Sequence, residues 1–256
     1  TYNGAVVLQG DTDLDASRVV FNGTVDDTAA GTVALDIDGT AEFHEVVGGT
    51  ALGSLDVSGT TLVDTTSIDT DNAGGGTGNQ TYQDTVTLGA NATLTATGAG
   101  NITISGSVTG GSNDLTIAAD TGSVVLGIDD ADAETITGVN NLAVSGTGGI
   151  TVHDTAITTA DDQTYSHALE IGDGVADGGG NTLTVTAGGD ALFSGTVDST
   201  SGDLYGLVVN ADGVTTFDNA VGGTDALLSL VTDSDGEAGY TLIDTTTVNV
   251  NGAGGT

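Results

Sequence analysis

The chain contains no cysteine, proline, methionine, tryptophan or lysine, and Arg18 is its single arginine. Without Cys there is no disulfide scaffold, thiolate metal site or cysteine nucleophile. Without Lys there is no Schiff-base chemistry, no P-loop and no lysine cross-link. Against that one cation stand 36 Asp and Glu, for a net charge of −35. Nucleic acid and anionic membranes both need Lys and Arg to neutralise phosphate, so neither is an expected partner. No apolar run approaches the roughly 20 residues that span a bilayer, and no signal peptide is visible. The missing Met makes these 256 residues an expected mature fragment, or a segment of something longer.

A highly charged chain with few aromatics usually suggests disorder. Here 37% of residues are hydrophobic and the mean hydropathy is slightly positive, at +0.12. Those residues are Val, Leu, Ile and Ala in short alternating runs, as a half-buried β-strand requires. Apolar residues alternate with period two, and Gly and Thr occur throughout, which disfavours helix.

The chain also repeats itself. Thr-Tyr opens three blocks, at Tyr2, Tyr82 and Tyr165, which are almost evenly spaced. A second marker follows in each block: Phe21-Asn-Gly-Thr-Val25, Ile104-Ser-Gly-Ser-Val108 and Phe193-Ser-Gly-Thr-Val197. A third includes Val47-Gly48-Gly49-Thr50 and Val221-Gly222-Gly223-Thr224, and is degraded in block two. The fourth is Val63-Asp-Thr-Thr-Ser-Ile68, Val152-His-Asp-Thr-Ala-Ile157 and Ile243-Asp-Thr-Thr-Thr-Val248. The expected organisation is one continuous segment of three repeats, 1–80, 81–163 and 164–256, within a longer array or fibre.

A finer beat runs inside block one, where Tyr2, Phe21, Phe43 and Leu62 recur at nearly equal intervals. Each interval holds two or three short strands divided by Gly, Asn or Asp. We read about 20–22 residues as one coil of a β-solenoid, hence roughly 12 coils in all. One coil cannot bury its inward face alone, but stacked coils about 4.8 Å apart close a continuous core. Proline would remove ladder donors, which explains its absence. The expected fold is therefore all-β, a parallel β-helix. The alternative is a string of immunoglobulin-like β-sandwiches, which suits the longer period but leaves the short beat unexplained.

The run Gln80-Thr-Tyr82-x-x-Thr-Val86-x-Leu88-Gly-Ala90, followed by Phe-x-Gly-Thr-Val, Val-Gly-Gly-Thr and Asp-Thr-Thr, resembles repeats of very large bacterial surface proteins. These are adhesins of the filamentous-haemagglutinin type and autotransporter passenger segments. The resemblance covers essentially the whole chain. It implies a secreted, right-handed β-helix exposed at the cell surface and used as a stalk or fibre.

Acidic clusters are the candidates for specific chemistry. Asp233-Ser-Asp235-Gly-Glu237 resembles the front of a calcium loop, with carboxylates at alternate positions and a Gly for the bend. Asp69-Thr-Asp71 is similar, as are Asp11-Thr-Asp13-Leu-Asp15 and Asp129-Asp130-Ala-Asp132-Ala-Glu134. Calcium is thus the one cofactor considered, with Asp233, Asp235, Glu237, Asp69 and Asp71 as its ligands. His44, His153 and His167 are expected at turns or in solvent, and Arg18 in a local ion pair. Alternate threonines (Thr93, Thr95 and Thr97; Thr182, Thr184 and Thr186) are too sporadic for an ice-binding face. Asn22, Asn91 and Asn101 open glycosylation sequons.

Many polysaccharide lyases and hydrolases are β-helices. A lyase needs a base and a cation to neutralise the uronate carboxylate, and this chain would repel that substrate. The expected function is non-enzymatic: an extracellular, acidic structural module at the cell surface. Its expected partners are like repeats end to end, and glycans or other cell surfaces. The alternatives are a calcium- or glycan-binding adhesin module, and a polysaccharide-degrading enzyme.

Overall fold

The computed structural model describes residues 1–127, 134–153, 156–172, 182–200, 204–236 and 239–251. These residues form strands and turns with no helix, and every strand pairing is parallel. The chain winds as a three-sided β-solenoid. Parallel pairing throughout excludes immunoglobulin-like sandwiches, whose sheets are antiparallel.

The first face is an eleven-stranded sheet running from Val6–Leu8 to Tyr240–Ile243. Its inward column is Val6, Val25, Val47, Ile68, Leu94, Ile117, Val144, Tyr165, Phe193, Phe217 and Ile243, each in register with the next. The second face carries Leu14, Ile37, Val57, Tyr82, Ile104, Leu126, Val152 and Ile171. The third begins Tyr2, Phe21, Phe43, Val63 and Leu88. The strands Thr12–Phe21 and Ala34–Phe43 continue round a corner and join the second and third faces into one sheet. Inward residues alternate with outward ones, and the inward set forms a single apolar core along the rod.

Nine consecutive turns have a regular strand on all three faces. The expectation of roughly 12 coils is corrected accordingly. Steps along the first face are shortest at the start, from Val6 to Val25, Val47 and Ile68. Most later steps are longer, as from Ile68 to Leu94, Ile117 to Val144 and Tyr165 to Phe193. Block one, which set the beat, holds short coils, and of the later first-face steps only that from Val144 to Tyr165 is as short. Later coils carry extra residues in turns, where length is tolerated because the strands alone make the ladder.

The sequence markers follow the solenoid in an unexpected way. Tyr2, Phe21, Phe43 and Val63 are four consecutive rungs of the third face. The matching residues of block two, Tyr82, Ile104, Leu126 and Val152, are four rungs of the second face. Those of block three, Tyr165, Phe193, Phe217 and Ile243, lie on the first. Each sequence repeat therefore advances three turns and two faces. The three sides present equivalent interior slots, so one four-rung cassette fits any of them. In blocks one and three the rings stack: Tyr2 on Phe21 at 4.9 Å, Phe21 on Phe43 at 5.6 Å, Tyr165 on Phe193 at 5.1 Å and Phe193 on Phe217 at 4.9 Å. Block two fills the same slots with Ile104 and Leu126.

Candidate functional site

The third marker is a bulge. Val47 and Leu52 pair with Ile68 and Thr70, so four residues oppose Asp69 alone. Val221 and Leu227 pair with Val248 and Val250, so five residues oppose Asn249. Gly48 and Gly222 hold φ of 78° and 64°, in the left-handed region. A Cβ on Gly48 would lie 2.1 Å from the Asp69 carbonyl oxygen, and one on Gly222 2.0 Å from that of Asn249. A Cβ on Gly49 would meet Asp26 Oδ1 at 3.0 Å, and one on Gly223 the Ala220 Cβ at 2.9 Å. Each bulge is pinned by an aspartate one coil earlier. Thr50 N–H donates to Asp26 Oδ1 (3.0 Å), and Thr224 and Asp225 N–H donate to Asp198 Oδ1 (2.8 and 3.3 Å). In block two the marker survives as a shorter bulge: Ile136 and Val139 pair with Ile157 and Thr159, with Gly138 at φ 68°. There Thr109 stands where Asp26 and Asp198 stand in the other blocks.

The Gln-Thr-Tyr marker is a buried polar clamp. Gln80 Nε2 donates to the carbonyls of Ile68 (2.9 Å) and Thr95 (2.7 Å), in successive coils of the first face. Gln163 Nε2 does the same to Ile157 (3.4 Å) and Thr186 (2.8 Å) on the third face. In blocks two and three alike the tyrosine hydroxyl donates to the glutamine Oε1 at 2.9 Å.

The candidate calcium ligands are distributed rather than gathered. Asp69 and Asp71 lie on the strand Ser67–Asp71 of the first face. Ser67 Oγ donates to Asp69, and Ala73 N–H donates to Asp71 Oδ1 at 2.8 Å. Asp233 and Asp235 follow the strand Ser229–Thr232, far along the rod. Thr241 Oγ1 donates to Asp233 Oδ2 at 3.0 Å. Glu237 lies outside the described residues, as do Asp129, Asp130 and Asp132. Among the described residues, no group of three or more His, Asp or Glu is placed to hold a metal ion.

Arg18 makes the expected ion pair, its Nε and Nη2 donating to the two carboxylate oxygens of Glu42 at 2.5 and 2.6 Å. This hydrogen bonding, with the charge of Arg18, holds Glu42 below the usual carboxylate range. His44 sits alongside, with Nδ1 2.9 Å from Asp64 Oδ2 and Nε2 3.6 Å from Glu42 Oε2. The cluster joins three successive rungs at a half-exposed corner. His167 Nδ1 accepts from Gly146 N–H at 3.3 Å.

Two acidic features carry no signal within a single stretch of sequence. On the second face Asp13, Asp36 and Asp56 are in register, as are Asp15 and Asp38. Burial first, then the charges of Asp56, Asp13 and Asp38, raise Asp36 above its ordinary value. At the corner entering the first face, Asn91, Asp114, Asn141, Asp162 and Asp190 form a ladder. The Oδ1 of each accepts the N–H of the residue one coil on, ending at Val214, over 2.7–3.1 Å. Side-chain donors Asn140 and Asn141 hold Asp114 below its ordinary value, against a smaller opposing effect of burial. The signal was there: Asn or Asp one residue before successive first-face strands, visible once coil lengths are known.

A recess on the second face is lined by Thr151, Glu170, Asp198 and Thr224, among others. Glu170 and Asp198 are in register there, and Asp198 is already committed to the bulge. No known protein family, curated protein or solved structure matches this chain.

Proposed function

We propose that this chain is a structural module: a stiff, acidic β-solenoid segment of an extracellular bacterial surface fibre or adhesin stalk, with no catalytic role. What supports the reading is that the inward positions form one continuous core while most outward ones are polar, chiefly Thr, Asp, Asn and Ser, with scattered apolar exceptions such as Leu62, Val125 and Leu192. Such a surface keeps rods soluble and holds like rods apart at low ionic strength. The carboxylate column of Asp13, Asp36 and Asp56 repeats at about the 4.8 Å rung spacing. Calcium, in this reading, bridges such columns between neighbouring rods rather than occupying a cage. Its partners are like segments end to end and the glycans of other surfaces.

The test is electron microscopy of the purified chain, with and without calcium and chelator. Ten steps along the first face at about 4.8 Å make an expected rod about 48 Å long. Calcium should bundle the rods sideways and chelator should release them. A globular particle, or release of sugar from polysaccharide substrates, would overturn the reading.

A further inference from the structure

We infer that the middle of the third face is an ice-binding surface: a neutral strip of free threonine side chains in register, with the face of an ice crystal as its ligand. This activity lies beyond the structural-module reading and is independent of it.

Along the chain the alternate threonines are scattered, and the varying coil length hides their phase. The fold gathers them. Outward on the third face, Thr87 is in register with Thr109, and Thr109 with Thr137. At the Gly138 bulge Thr137 and Gly138 together oppose Thr158, which is in register with Thr186. Five consecutive rungs thus carry threonine in one column. Beside it, two residues earlier on the same strands, run Thr135, Ala156 and Thr184. Thr184 and Thr186 close the strip, whereas Thr93, Thr95 and Thr97 lie on the first face.

Charge sets this strip apart. In a chain of net charge −35 the column runs from Leu62, before Thr87, to Asn210, after Thr186, without an acid. The second face instead turns Asp13, Asp36 and Asp56 outward towards one end, and Glu170 and Asp198 towards the other. Thr87, Thr109, Thr137 and Thr158 are exposed and Thr186 is half-buried. Among the described residues none of these five hydroxyls is spent within the protein, whereas Thr12, Thr121 and Thr147 donate to carbonyls at turns.

Two spacings define the strip: about 4.8 Å between rungs and about 6.6 Å between alternate residues of one strand. Hexagonal ice presents uncharged oxygens, each both donor and acceptor, at repeats close to these two distances. Threonine suits such a lattice in two ways. Its hydroxyl donates and accepts, and its methyl restricts the first-shell water around it. The β-branch also limits χ1, so the column is held ready for its ligand. Other occupants fit less well. The five rungs span about 19 Å, and a strip of that length and one strand wide falls far short of the roughly 800 Å² that a stable protein partner covers. A mineral or a cationic ligand would settle on the acidic columns instead.

The test is slow freezing of the purified chain beside an inert reference protein, followed by measurement of thermal hysteresis. The parent should enter the ice while the reference is excluded, and should hold the freezing point below the melting point. Thr109→Tyr combined with Thr158→Tyr puts bulk on the strip with residues that suit a strand. Both signals should then fall to about a tenth or less, because the rungs bind as one multivalent array. Thr116→Tyr, outward on the first face, should keep them, and unfolding temperatures should match the parent throughout. If the tyrosines disturb folding, Thr109→Ser with Thr158→Ser keeps the hydroxyls, removes the methyls and should still lose ice uptake. Exclusion of the parent from ice, equal loss in Thr116→Tyr, or full uptake by a folded double variant overturns the inference. Rods imaged alongside such a result leave the structural-module reading standing, because that reading falls only by its own test.

Discussion

The Tyr82 hydroxyl donates a 2.9 Å hydrogen bond to Gln80 Oε1 with both side chains 0% exposed. Burial, with a smaller contribution from the charge of Asp69, pushes the phenol far above its ordinary value. It therefore remains a donor throughout the working pH range. The glutamine NH2 is spent on the carbonyls of Ile68 and Thr95, so the pair staples two coils across a corner. Tyr82→Phe leaves one buried acceptor unpaired, at a cost of about 1–3 kcal/mol. Gln80→Leu orphans the phenol and withdraws the donor from two carbonyls, so it should cost more. Urea unfolding of both variants checks the order, and a Tyr82→Phe protein as stable as the parent would contradict it.

The bulge glycines should separate sharply from open ones. At Gly48 and Gly222 an alanine meets both a left-handed backbone and a carbonyl oxygen at 2.1 and 2.0 Å. Gly48→Ala and Gly222→Ala should each destabilise by more than the ~1 kcal/mol that a left-handed non-glycine residue costs, because the backbone must also move. Gly10→Ala, with nothing within 4 Å of its added methyl, should be neutral or stabilising by about 0.4–1 kcal/mol through the unfolded chain. Thermal melts of the three variants test the contrast.

Asp27 is buried at the turn between the first and second faces. Burial alone would raise its carboxyl, but Thr32 Oγ1 and the N–H groups of Ala29, Thr32 and Val33 outweigh it, and the net shift is downward. A carboxyl lowered on folding contributes stability above its unfolded value and loses it as the pH falls through the folded one. Its contribution should vanish only below the ordinary 3.8. Asp27→Ala should therefore lower stability at pH 7 by about 1.5–3 kcal/mol, the range for hydrogen bonds to a charged group. The deficit should shrink under acid conditions below 3.8. A deficit unchanged down to strong acid would contradict the account.

How much of this was legible beforehand follows from which features are local. The β-solenoid could be read because short alternating runs and stacked-coil logic act within one coil, and block one displays the beat cleanly. The coil number could not, because the added residues of later coils sit in turns that no apolar pattern registers. The markers at Tyr2, Tyr82 and Tyr165 were visible as repeats. That they occupy three different faces was hidden, since a spacing along the chain has no phase until the coil length is known. Asp26 and Asp198 escaped notice for a related reason. Each follows the Phe-x-Gly-Thr-Val marker directly, but its partner, Thr50 or Thr224, lies a full coil away. Asp69 and Asp71 read as a cation motif along the chain. In the fold their oxygens accept bonds from Ser67 and Ala73, which is ordinary strand and turn chemistry.

Asp36 provides the opposite pH dependence. It stands in register between Asp13 and Asp56, and burial together with those charges raises its carboxyl. A carboxyl raised on folding favours the folded state while protonated, and that advantage is lost as the pH rises through the folded value. At pH 7 the ionised column is therefore a net strain on the first three coils. Asp36→Asn should raise the melting temperature at pH 7, because it keeps the size and polarity of the side chain and removes the middle charge. The gain should diminish as added salt screens the column. It should diminish again as the pH falls into the carboxylate range, where the parent protonates. Melting curves across pH and salt would refute the argument if Asp36→Asn proved less stable than the parent at pH 7.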